Sequence, residues 1–135
     1  MSVAVYTDGA SRGNPGHASL GAVAYKDGVR IFSLSEYLGV NTNNYAEYKA
    51  AIEALRELKK LDLQHEKIEI FADSKLLVEQ ASGRWKVKHE NIKPLFNELR
   101  DLLSDFDSVS FVHILREKNK EADALANKAL DQALS

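Results

Sequence analysis

The feature that most constrains this chain is Asp27-Gly28, flanked by two runs of strand-forming residues, Leu20 to Lys26 and Val29 to Tyr37. A two-residue Asp-Gly link between such runs is a strong hairpin signal, so an antiparallel pair is expected here. A buried strand, Val3 to Thr7, precedes it. After it the pattern changes to alternation. Asn44 to about Leu61 reads as a helix with Lys49, Glu53, Arg56 and Lys60 on its polar face, and Lys67 to Ala72 as a strand. Ser74 to Ala81 and Asn91 to Leu103 read as helices, with Pro94 tolerated only in a first turn. Val109 to Ile114 reads as a strand, and Asn119 to Leu134 as an alanine- and leucine-rich helix. Strands that return through helices run parallel to the strand they left. The order predicts an α/β fold, a mixed five-stranded sheet flanked by helices.

At 135 residues one core is expected, so residues 1 to 135 are read as a single domain. No apolar run nears the roughly 20 residues of a membrane span, and no leader-like segment opens the chain. Cysteine is absent, which excludes thiolate metal sites and a disulfide framework and favours a cytoplasmic protein. The net charge of −2 excludes a polyanion-binding field over the whole molecule, so any nucleic-acid contact must rest on local patches.

Four acids carry the chemistry. Asp8 follows the first strand within TDGASRGNPG, residues 7 to 16, a glycine-rich passage that reads as a loop. Asp73 follows the fourth strand in the same way. If those strands are parallel neighbours, both carboxylates reach one sheet edge, where α/β folds place their sites. Alone, Asp-Gly is turn chemistry and Asp73 is a helix cap. Glu47 fits a capping box with Asn44, yet it also shares a helical face with Ala51, Ala54 and Leu58, which turns it inward. Asp123 shares a face with Ala126, Leu130 and Leu134 in the same way. An acid placed on an apolar stripe is costly unless something compensates its charge. Together the four predict a carboxylate cleft suited to Mg²⁺ or Mn²⁺. Two such ions, about 4 Å apart, can activate water and stabilise a leaving oxygen at phosphorus.

The segments TDGASRGNPG, NTNNYAEYKAAIEAL, FADSKLLV and REKNKEADALANKA occur in that order from end to end of the chain. In this the sequence resembles the type 1 ribonuclease H family. The resemblance implies an endonuclease that cuts the RNA strand of RNA–DNA hybrids with two divalent ions. It implies Asp8, Glu47, Asp73 and Asp123 as metal ligands, with Asp8 bridging. It also puts Gly13 and Asn14 of the Gly13–Gly16 turn, with Asn43 and Asn44, against the minor groove of the hybrid, where 2′-hydroxyls distinguish RNA from DNA. Thr42 would hold a phosphate of the DNA strand. The chain departs from the family pattern twice. Where many members carry a histidine before the last aspartate, this chain has Arg116-Glu117-Lys118-Asn119. Arg116 cannot shuttle protons but can attract a phosphate, while His113 reads as structural within the last strand. Where some members carry a long basic protrusion, this chain has only Gly83 to His89. Trp85, Lys86 and Lys88 there are either a reduced grip on the DNA strand or an ordinary loop with Trp85 folded onto the core. No separate hybrid-binding domain is expected before Asp8. The expected partner is an RNA–DNA hybrid, met by a monomer. A same-fold nuclease that also cuts double-stranded RNA and a silent nucleic-acid-binding module are the alternatives. A phosphate-binding loop protein ranks last, because no GxGxxG or Walker pattern is present.

Overall fold

The computed structural model describes residues 2–135. Strands β1 (Ser2–Gly13), β2 (Gly16–Lys26) and β3 (Val29–Asn41) are followed by helix α1 (Asn43–Lys60) and strand β4 (Lys67–Ala72). Helices α2 (Lys75–Ala81) and α3 (Lys93–Leu103), strand β5 (Ser108–His113), a 3₁₀ turn (Arg116–Lys118) and helix α4 (Lys120–Ala133) complete the chain. One five-stranded sheet runs β3-β2-β1-β4-β5. Its β1–β2 and β2–β3 pairs are antiparallel, and its β1–β4 and β4–β5 pairs are parallel. This is the mixed sheet expected from the element order. Asp27 and Gly28 both take positive φ, 53° and 79°, the combination that a tight hairpin with native strand twist requires.

Alternation along the strands sends Val3, Val5, Ala22, Ala24, Ile68 and Ile70 into the core on one face. The apolar side of α1, with Tyr48, Ile52, Leu55 and Leu58, closes that face, and Leu99 of α3 joins it. Each large side chain removed from water there contributes about 1.5–3 kcal/mol. The packing of α4 on the sheet is of another kind. Ala122, Ala126 and Ala129 are buried, and Ser19 Oγ donates to the Ala126 carbonyl at 2.5 Å. A Cβ added to Gly21 would run into the backbone of Ala122 and Ala126. Small residues on both sides bring the helix close enough to deliver its first turn to β1.

The largest departure from the sequence reading concerns residues 8 to 13. TDGASRGNPG is not a loop: β1 continues through it, with Asp8 opposite Gly21 and Gly13 opposite Gly16. Once β4 parts from β1 after Thr7 and Ala72, the ladder to β2 still satisfies the backbone of β1. Only Gly13 (φ 108°) and the tip beyond it turn. The first helix also starts earlier than expected. Thr42 is its cap, its Oγ1 accepting from Tyr45 N–H at 3.1 Å, so the Asn44–Glu47 capping box does not form.

Candidate active site

Each acid is delivered by a different core element. Asp8 sits on β1 one residue beyond the last parallel pair, and its residue is 6% exposed. Glu47 lies in the first turns of α1 and is 3% exposed, as its helical phase predicts. Its carboxylate accepts from Gly9 N–H, which ties the start of α1 to β1. That contact demands glycine, because a Cβ on residue 9 would overlap the Glu47 and Ala46 backbone. Asp73 follows β4, and the cap of α2 is not Asp73 but Ser74, whose Oγ accepts from Leu77 N–H at 3.2 Å. Relieved of capping, Asp73 faces the other acids. One carboxylate oxygen from each of Asp8, Glu47 and Asp73 lies within 4.8 Å of the others. Asp123, in the first turn of α4, lines the same cavity of about 280 Å³, together with Arg116, Asn43 and Asn127. The four predicted acids therefore converge, three tightly and one at the rim.

Burial is the main force on the two innermost carboxyls. It pushes Asp8 well above the usual carboxylate range, and repulsion from Glu47 and Asp73 adds to the shift. Glu47 is pushed up by burial and by Asp73, while the Gly9 N–H holds it partly back. Both acids would bind a proton readily, or a hard cation in its place. The inner donor set of Asp8, Glu47 and Asp73 is all oxygen and makes no ion pair among the described residues, which fits a hard divalent cation. A larger cavity of about 550 Å³, lined by Tyr6, Tyr25, Asp27, Lys118 and Glu121 among others, lies apart from the four acids.

The other predicted residues fall into two groups. Asn14 is tied to the site's edge, its Oδ1 accepting from Asn43 N–H at 3.1 Å, so the hairpin tip with Gly13 is braced against the start of α1. Asn44 is exposed in that first turn, and Thr42 caps it. Arg116 places a guanidinium nitrogen 3.7 Å from Asp123 Oδ1. Trp85, Lys86 and Lys88 lie elsewhere, between α2 and α3, and line no part of the acid cavity. Trp85 is 45% exposed and so is not folded into the core. His113 ends β5 and is exposed.

Sequence reading missed two asparagines. Asn119 is buried at the cap position of α4, yet its side chain makes no cap bond. It donates instead to the Thr7 carbonyl at 2.8 Å and to Asp73 Oδ2 at 3.4 Å, joining α4 to both acid-bearing strand ends. An asparagine before a helix reads as a cap, so nothing local signals this. Asn127 stands one helical turn beyond Asp123 and donates to its carbonyl at 3.0 Å and to its Oδ1 at 3.3 Å. Here the four-residue spacing was a signal available in the sequence.

Comparison with known proteins agrees with this fold. The family model described as "Reverse transcriptase-like" matches residues 6–129. Ribonuclease HI of Halobacterium salinarum is 42% identical over 132 residues, which cover 97% of this chain and 65% of that protein. LC11 ribonuclease H1, solved in complex with an RNA/DNA hybrid, superposes with a TM-score of 0.94 at 41% identity, covering 98% of this chain and 99% of that one. The chain belongs to the ribonuclease H family. A bifunctional protein of Mycobacterium tuberculosis is also 42% identical, over 98% of this chain but only 36% of its own length. The chain thus spans about a third of that relative and just under two thirds of the Halobacterium ribonuclease H. Among the described residues no helix is long and apolar enough to cross a membrane.

Proposed function

We propose that this ribonuclease H domain is a metal-dependent endonuclease that hydrolyses the RNA strand of RNA–DNA hybrids. The observation that carries the reading is the meeting of Asp8, Glu47 and Asp73 within 4.8 Å, with Asp123 on the same cavity wall. Four acids from four elements would repel one another without a cation, and no ion pair among the described residues neutralises the inner three. A protein with 41% identity to this one was solved with an RNA/DNA hybrid bound.

In this reading Asp8, Glu47, Asp73 and Asp123 would together hold two Mg²⁺ or Mn²⁺ ions. Ions bound there would lower the pKa of the attacking water and offset charge on the leaving oxygen. The protein's part is placement. The ladder around Asp8 and the Gly9–Glu47 bond keep two carboxylates rigid, so little reorganisation accompanies reaction. The Gly13–Asn14 tip and Asn43, with Asn44 beside them, meet the minor groove, where amide groups read 2′-hydroxyls. Thr42 keeps its hydroxyl proton free for a phosphate while its oxygen caps α1. Arg116, always charged, draws the reacting or departing phosphate. Trp85, Lys86 and Lys88 grip the DNA strand at a distance from the chemistry. The domain works as a monomer in the cytoplasm, a setting consistent with its lack of cysteine.

The test is purified protein with end-labelled RNA–DNA hybrid, duplex RNA and duplex DNA, each with Mg²⁺, Mn²⁺ or chelator. Cleavage of the RNA strand of the hybrid with either ion, and none with chelator, is expected. Cutting of duplex RNA at a similar rate would widen the substrate class. No cleavage of any substrate by folded protein would leave a binding module.

A further inference from the structure

Asp123 is held less firmly than the other three acids. Asp8 and Glu47 are almost fully buried and sit on ladder and helix, and Asp73 receives the buried Asn119 amide. The Asp123 side chain is 32% exposed, and although its carboxyl reaches that of Asp8, it does not join the group of three whose oxygens all lie close to one another. Two donors compete for its Oδ1. Arg116 approaches within 3.7 Å from a 3₁₀ turn, with its side chain 81% exposed and so able to swing. Asn127 donates to the same oxygen at 3.3 Å. The two have opposite consequences for a cation. A guanidinium closed onto Asp123 would cancel the charge that attracts a metal and could bond both carboxylate oxygens at once. An amide satisfies one lone pair and leaves the charge intact. The second bond of Asn127, to the Asp123 carbonyl at 3.0 Å, fixes which end of the amide faces the acid.

We infer that Asn127 is a positioning residue that keeps Asp123 open to a cation by holding its Oδ1 against capture by Arg116. The role rests on the proposed metal-dependent reading. It gives Arg116 and Asn127 complementary tasks, since an arginine kept off Asp123 remains available to phosphate.

Calorimetric titration of Mn²⁺ into the substrate-free protein tests this without relying on turnover. Asn127→Ala is expected to weaken the looser of two binding events about 3- to 10-fold, as loss of one neutral hydrogen bond and entry of a competing charge would do. Asn127→Ala with Arg116→Ala should recover most of that loss. The KM for hybrid of Asn127→Ala at saturating Mn²⁺ should stay at the parent value. Its melting temperature should hold or rise, because alanine favours a helix interior more than asparagine does. Unchanged Mn²⁺ affinity in Asn127→Ala would overturn the inference. So would a double variant no better than the single one, or a raised hybrid KM with metal binding intact, which would make Asn127 a substrate contact. If the parent binds no Mn²⁺, the metal-dependent reading itself fails and takes this one with it. If only Asn127→Ala matches the parent, that reading stands and this one alone falls.

Discussion

The acid cavity and the Gly83–His89 loop are both polar and both belong to the proposed nuclease surface, yet they are built in opposite ways. Every carboxylate in the cavity is fixed by a core element: a ladder for Asp8, a helix turn and the Gly9 amide for Glu47, the end of β4 for Asp73, the start of α4 for Asp123. The loop is held by bonds to the end of α2, from its backbone as well as its side chains. Arg84 forks onto Glu79 with bonds of 2.7 and 2.9 Å, and Gln80 reaches the Lys86 carbonyl at 3.4 Å. Lys86 and Lys88 make no ion pair among the described residues. Chemistry that depends on sub-ångström placement sits where the core supplies rigidity, at the cost of crowded charge. Grip on a phosphate chain tolerates slack, so exposed side chains suffice.

If that contrast holds, the largest effect comes from the cavity's charge. Asp8→Asn should abolish hybrid cleavage, by at least about a thousandfold, the scale expected when a ligand charge at the reacting centre is lost. The same change should stabilise the metal-free protein by roughly 1–3 kcal/mol at neutral pH, because folding would no longer bury that charge among others. Thermal melts of parent and variant in chelator check the sign. Strong destabilisation would show that the acid serves the fold.

The next effect is steric. Gly9→Ala puts a methyl group into the backbone of Ala46 and Glu47, where no flexible side chain can yield. A loss of roughly 3 kcal/mol in denaturant titration is expected, together with slower turnover as Glu47 shifts. Gly83→Ala is the contrasting control. Its Cβ meets nothing within 4 Å, so only the positive φ of 80° opposes it, and a cost of about 1 kcal/mol with unchanged chemistry should result.

A pH effect of moderate size should follow from Asp8 and Glu47. Burial raises both above their ordinary values near 4. Between the ordinary and the raised values, the folded protein retains protons that the unfolded chain releases. Stability in chelator should therefore be fullest below about pH 4 as far as these two groups are concerned, and should decline as pH rises toward neutrality. Saturating Mg²⁺ should flatten the decline. A metal-free melting temperature that climbs steadily from pH 4 to 8 would contradict the crowded-acid description.

The smallest effect belongs to the loop. Lys86→Ala with Lys88→Ala should raise the KM for hybrid a few-fold at low salt and leave the chemical step unchanged. It should also reduce the salt dependence of binding by one to two counterions. An unchanged KM would mean that the loop does not touch the substrate, and the comparison would lose its second half.

Local chemistry was enough to reveal much of this molecule. Asp27-Gly28 specified a tight turn because few residues accept positive φ at both positions. The helical phase of Glu47 and of Asp123 turned each acid inward, and the alternation after β3 required parallel returns. The first two expectations depend on neighbours within one element, and the third on the order of elements along the chain. What the sequence could not decide depends on partners far along the chain. Gly9 to Gly13 read as a loop because glycine and serine are poor strand formers, and only pairing with β2 makes them strand. Asn44 and Asp73 satisfy local rules for caps, but Thr42 and Ser74 take those positions and make the cap bonds. Asn119, 112 residues from Thr7 in the chain, gives up its own helix cap to join two strand ends. Short-range patterns could therefore identify the acids and the order of the elements. The distances among the acids, and the reach of Asn119 to Asp73, came only from long-range packing.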